Sequence, residues 1–122
     1  MELTNLDFQQ ARIKQVLFKS RLRSVLYGVR EADEALFARP LNPLGQWLDA
    51  VVRPKYGAHP EVREIEQVLQ QMLSTGRDLA AQYKRGQIEE ARAGLDRVNN
   101  QAERIDGLFQ QLERRAKTSQ AA

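Results

Sequence analysis

No cysteine occurs in the 122 residues, and histidine and tryptophan occur once each, at His59 and Trp47. The first absence excludes disulfides, thiolate metal centres and cysteine nucleophiles. His59 has no neighbouring ligand at metal spacing, so it reads as an exposed loop histidine. No apolar run approaches the roughly 20 residues that a helix needs to cross a bilayer. The opening Met1-Glu2-Leu3-Thr4-Asn5 shows no basic leader followed by an apolar block, so a cytoplasmic location is expected. A glycine-rich phosphate loop, a nucleophile paired with a base and a metal cluster are all missing, so no catalytic role and no cofactor are expected.

What the sequence does contain is helix-forming material. With 42% hydrophobic and 29% charged residues and a mean hydropathy of −0.59, it has the composition of a soluble domain large enough to bury a core. The reading is a single all-α domain over residues 1–122, a four-helix bundle with an additional short helix carrying Trp47. The first helix is placed at about residues 5–37, with Thr4 or Asn5 as its cap and Asp7 in its first turn. Its apolar stripe is Phe8, Ala11, Val16, Leu22, Val25, Leu26, Val29, Ala32 and Leu36, and Gly28 is taken as an interior glycine costing about 1 kcal/mol. Pro40 and Pro43 stop it. A short helix over about residues 44–52 follows, with Pro43 at its start. Pro54, Gly57 and Pro60 define a loop, and a helix over residues 60–84 buries Val62, Ile65, Leu69, Met72, Leu73, Leu79 and Tyr83.

The last helix, about residues 87–116, has the cleanest pattern. Ile88, Ala91, Leu95, Val98, Ala102, Ile105, Phe109 and Leu112 alternate steps of three and four, a seam suited to packing along a partner helix. Most of it is assigned to the core and part to a dimer face. The tail 117–122 is expected to fray. A net charge of +3 and a pI near 9.5 come with basic residues from Lys14 to Arg23 and at Arg114, Arg115 and Lys117. No aromatic platform accompanies them, so they read as solvated faces and nucleic acid is not the expected partner.

Three segments resemble the chemoreceptor zinc-binding domain family. Gln15-Val16-Leu17-Phe18-Lys19 is similar to its opening motif, a histidine followed three places later by an aromatic residue and then lysine. Asn42-Pro43-Leu44-Gly45-Gln46-Trp47-Leu48 resembles its Cys-x-Leu-Gly-x-Trp segment, through Leu44, Gly45 and Trp47. Leu69 and Leu73 stand where the family has His-x-x-x-His. The separations fit: 23 residues lie between Phe18 and Asn42, and 21 between Trp47 and Leu69. The likeness runs from about Ala11 to Leu112. Every ligand position is changed, to Gln15, Asn42, Leu69 and Leu73. Leucine offers no donor atom and neutral amides are poor zinc ligands, so no zinc is expected.

Two leucines at i and i+4 can fill the space of two imidazoles and a metal, and Gln15 and Asn42 are then available to hydrogen-bond to each other. The resemblance implies a homodimeric signalling module, similar to those that control chemoreceptors or cyclic-di-GMP synthases in bacteria. Having lost metal sensing, it would act as a stand-alone adaptor or regulator on a protein partner. The alternative is a small basic helical protein that binds nucleic acid or another acidic surface, which predicts affinity falling steeply with salt.

Overall fold

Where the first helix ends decides the rest of the topology. The computed structural model describes the backbone of residues 5–121 and the side chains of residues 7–115. Helix α1 spans Asn5–Leu26 and does not continue to residue 37. Gly28 takes φ +75°, a left-handed conformation that glycine adopts without penalty. The Val29 N–H donates to the Ser24 carbonyl at 2.8 Å and the Gly28 N–H to Val25 at 3.2 Å. This six-to-one and five-to-two pairing is a Schellman ending, so Gly28 is a stop signal rather than an interior glycine. Tyr83 closes the space beside it, since a Cβ on Gly28 would come within 2.7 Å of the Tyr83 hydroxyl. Arg92 also donates from Nε to the Leu26 carbonyl at 2.8 Å. Thr4, the alternative cap at the other end, lies outside the described residues.

After the break come a one-turn helix α2 (Glu34–Phe37), capped by Asp33, and a 3₁₀ turn at Arg39–Leu41. Helix α3 (Pro43–Trp47) then runs through a π-helical turn at Leu48–Val52 into α4 (Arg53–Tyr56). The expected short helix therefore starts one residue earlier and ends four later, and Pro54 is inside it. In a regular α-helix the proline ring would meet the carbonyl four residues back. The wide turn just before it, closed by the Arg53 N–H on the Leu48 carbonyl, is where the helix takes up a residue that cannot donate.

Helix α5 (Pro60–Lys84) has the expected bounds. Gly86, at φ +89°, turns the chain into α6 (Ile88–Ala93) and α7 (Leu95–Ala121). The single last helix is thus split at Gly94, whose ψ flattens to −12°. Leu79 packs where a Cβ of Gly94 would stand. The tail expected to fray continues as helix to Ala121.

Every regular element among the described residues is helical, and none of their helices is long and apolar enough to cross a membrane. Helices α1, α5 and α7 are the three long ones. One buried cluster joins Ala11, Phe18 and Leu22 of α1, Leu44, Leu48 and Val52 of the corner, Ile65 to Leu79 of α5, and Val98 to Leu112 of α7. Leu69, Ile65, Leu22 and Leu48 have no exposed surface, and each such side chain stabilises the fold by about 1.5–3 kcal/mol. The stripe expected on α5 is buried, with Tyr83 half-buried at its end. That expected on the first helix is not uniform, because Val16, Val29 and Ala32 are exposed. At 100° per residue Val16 lies about 140° around the helix from Ala11 and about 120° from Leu22, and the other two fall beyond the break.

Gly28→Ala should destabilise the protein by about 1–2 kcal/mol, the cost of forcing an L-residue into the left-handed region. Thermal denaturation followed by circular dichroism checks this, and an unchanged melting temperature would contradict the role assigned to the turn.

Candidate functional site

The corner from Arg39 to Tyr56 is where local chemistry, charge and the sequence motif coincide. Asn42 is extended at φ −73°, ψ 127° and its Oδ1 accepts the Gly45 N–H at 3.0 Å, while Pro43 occupies the first helical position. The side chain thus satisfies a donor that the helix start leaves open. Gly45 is required for a different reason. A Cβ there would collide with the Arg39 guanidinium and meet the Arg39 carbonyl at 3.0 Å. The absent side chain leaves the path along which Arg39 crosses the corner.

Arg39 reaches two carboxylates. Its Nε donates to Glu66 Oε2 at 2.7 Å and its Nη2 to Glu66 Oε1, a two-pronged contact with α5. It also donates to both oxygens of Asp49, at 3.0 and 3.3 Å. Arg53 adds Nη2 to Glu66 Oε1 at 2.7 Å, and Gln70 donates to Glu66 Oε2 at 3.3 Å. The Arg39 and Glu66 side chains are only 20% and 17% exposed, so this is a partly desolvated network in planar, bidentate geometry rather than a loose surface pair. The Arg39 hydrogen bonds hold the Glu66 carboxyl below its ordinary value against the opposing pull of burial. Glu66 in turn raises Arg39.

Aromatic packing ties the other side of the corner. The half-buried Trp47 ring lies 5.6 Å from Phe109 on α7, and Phe109 meets Phe8 of α1 edge-on at 5.9 Å. Such pairs add about 0.5–1.5 kcal/mol each beyond their burial. Phe18 is buried against Gly76 of α5, where a Cβ would stand 3.1 Å from its ring. Its neighbour Lys19 is half-buried and lines a groove between α1 and α7.

Gln15, Asn42, Leu69 and Leu73 are all buried, at 2%, 3%, 0% and 4% exposure. Both leucines belong to the core cluster. The two amides do not pair with each other, because each has a nearer partner of its own. Asn42 caps α3, while Gln15 Nε2 donates to Asp106 Oδ1 on α7 at 2.6 Å. Gln15 Oε1 is buried with no partner. His59 is half-buried rather than exposed, its ring 5.8 Å from Tyr56. Among the described residues no three His, Cys, Asp or Glu side chains are grouped to hold a metal ion.

The seam is consumed inside the chain. Ala91, Val98, Ala102, Ile105, Phe109 and Leu112 are buried, Leu95 is half-buried and only Ile88 is exposed. As a dimer face it has little left to offer, because α7 packs chiefly on α5.

Residues that sequence reading passed over include Arg39, Asp49, Arg53 and Glu66. Asp49 and Arg53 carried a local signal in their i, i+4 spacing, whereas Arg39 and Glu66 meet only through the tertiary fold. Comparison of the chain with known protein families, with characterised proteins and with solved structures finds no match.

Glu66→Gln keeps the shape but loses the charge facing two guanidinium groups. It should cost about 2 kcal/mol in urea denaturation at neutral pH. The sign with pH follows from the lowered carboxyl: its contribution is complete above the ordinary value of 4.5 and is lost as pH falls through the folded value. The acid limb of the wild-type stability curve should therefore be steeper than that of the variant, and parallel limbs would rule out the network as an acid-sensitive tie.

Proposed function

We propose that this protein is a non-catalytic, cytoplasmic signal-transduction module similar to a chemoreceptor zinc-binding domain that has lost its zinc, working as an adaptor through protein contacts. The observation that carries the reading is the burial of the four positions where the family's ligands would stand. Two leucines lie in the core, one amide serves as a helix cap and the other makes an interhelical hydrogen bond. All four side chains have structural employment that needs no metal. On this reading the fold is a variant of the four-helix bundle, with the segment Pro43–Tyr56 standing as a shortened fourth member that carries Trp47.

Signal transfer would be a change in helix packing or in the geometry of a homodimer, passed to a partner in chemotaxis or cyclic-di-GMP signalling. Bundles held by apolar seams can have two packings of similar energy. The second reading, a basic helical protein on nucleic acid, draws on five α1 cations for which no carboxylate partner is seen among the described residues.

Native mass spectrometry with added zinc and with chelator separates the outcomes. A metal-free dimer in both conditions is expected. Stoichiometric zinc on the wild-type protein would overturn the loss of the metal site, and a metal-free monomer would remove the dimer mechanism. The combined variant Gln15→His, Asn42→Cys, Leu69→His and Leu73→His should acquire zinc if the resemblance aligns these positions correctly. A folded variant that stays metal-free would count against the alignment.

A further inference from the structure

Helix α1 is apolar on two opposite sides. Ala11, Phe18, Leu22, Val25 and Leu26 face the core and are buried. At 100° per residue the opposite direction is held by Ile13, Val16, Leu17 and Ser20. Ile13, Val16 and Leu17 are 51%, 52% and 43% exposed, although their spacing of three and four is that of a packing ridge. The boundaries between the two sides are cationic: Arg12, Lys19 and Arg23 along one edge, Lys14 and Arg21 along the other. Asp7 is the only acidic residue on α1 among the positions whose side chains are described. None of the five cations forms an ion pair with a carboxylate among the described residues. Val16, Lys19, Ser20 and Arg23 also form one wall of a groove whose other wall is Leu95, Val98 and Asn99 of α7.

We propose that this groove and the outward ridge of α1 receive an acidic amphipathic helix of a protein partner. The partner's apolar stripe would lie on Ile13, Val16 and Leu17, and its flanking carboxylates would meet the two rows of cations. Charge decides against a second copy, because a two-fold contact across α1 would set five cations against the same five. Shape decides against a membrane. Beside Val16 the ridge falls into the groove, where the Asn99 amide and the Ser20 hydroxyl would be desolvated by acyl chains without gaining partners. Against a phosphate backbone the three aliphatic side chains between the cation rows would contribute nothing, whereas helix-in-groove recognition uses both features together. This inference rests on the protein-contact reading above and names the chemistry of the contact.

The test uses fluorescence anisotropy of two labelled peptides of about 20 residues, long enough to form helix. Both have leucines at i, i+3, i+4 and i+7, one with glutamate on the flanks and its twin with lysine. The full chain should bind the acidic peptide at least tenfold more tightly than the lysine twin, with affinity falling as salt is added. Val16→Asp, at an exposed position, should weaken that binding at least tenfold while circular dichroism stays unchanged. The combined variant Arg12→Glu, Lys19→Glu and Arg23→Glu should reverse the preference between the peptides. Equal binding of the two peptides, or indifference to both variants, would sink the proposal. Tighter binding to phosphatidylglycerol vesicles or to a DNA duplex would also overturn it, as would self-association abolished by Val16→Asp. Failure of the peptides beside a metal-free dimer removes only this surface, whereas stoichiometric zinc or dominant duplex binding removes the adaptor reading itself.

Discussion

The corner depends on one side chain crossing it. Arg39 passes over Gly45 to reach Glu66 on α5 and Asp49 on the same corner. The guanidinium bridges two segments far apart in the chain while keeping its charge matched. Because the network is only partly desolvated, the electrostatic gain exceeds that of an exposed pair without the full penalty of burying ions. With Arg39 fixed, Asn42 can cap α3, and Leu44, Leu48 and Val52 are delivered to the core. Trp47 then reaches Phe109. The glycine of the motif and the arginine outside it are two halves of one steric arrangement, since any side chain at position 45 would occupy the guanidinium's path.

A second constraint is polar. Gln15 and Asp106 place a hydrogen bond between α1 and α7 amid otherwise apolar contacts, and Gln101 donates to Thr75 between α7 and α5 at 3.1 Å. In both glutamines the amide oxygen is buried without a partner. Each such oxygen costs about 1–3 kcal/mol, so these contacts are an expensive way to hold helices together. Their distinctive property is direction: a hydrogen bond fixes the register of two helices in a way that leucine against leucine does not. In a domain whose long helices could slide by a turn along apolar seams, two polar contacts at different heights of α7 restrict the packings available.

How far the sequence was legible follows from which interactions are local. Helix α5 was readable end to end because Pro60 opens it and a single apolar stripe spans it. The seam of α7 was readable as a stripe, but its split at Gly94 was not, since that depends on Leu79 of another helix. Gly28 was misread because an interior glycine and a helix-ending glycine look alike until the Schellman bonds are seen. Pro54 was misread as a loop signal because a π-turn that accommodates proline leaves no compositional mark. At the candidate site, the i, i+4 spacing of Leu69 and Leu73 placed both on one helix face, and both lie in the core. The Gln15 partner was not legible, because Asp106 comes to it from 91 positions away.

The weak directional preference of α1 explains why Val16 was placed in the core-facing stripe and Ile13 and Leu17 in none, when the three share the outward side of the helix. A helix buried on one face should alternate apolar and charged sides once per turn; α1 instead has aliphatic residues toward the core and away from it, with cations only at the borders. Propensity and core packing account for the inner face alone. Retaining Ile13, Val16 and Leu17 in water has no folding benefit to offset their exposure. Five cations lie on one helix, none ion-paired among the described residues. Glu31 and Asp33 line the groove beside Lys14 and Arg21, whereas no carboxylate lines the groove that holds Lys19 and Arg23, so mutual repulsion there is of the kind that a countercharge relieves. Both anomalies fall on the same strip of surface and have the same remedy, a ligand at once apolar along its centre and negative along its edges. In the corner, by contrast, Arg39 and Arg53 are matched by Asp49 and Glu66 and the side chains of Leu44, Leu48 and Val52 are buried, which directs attention to the surface of α1 rather than to the motif that first draws the eye.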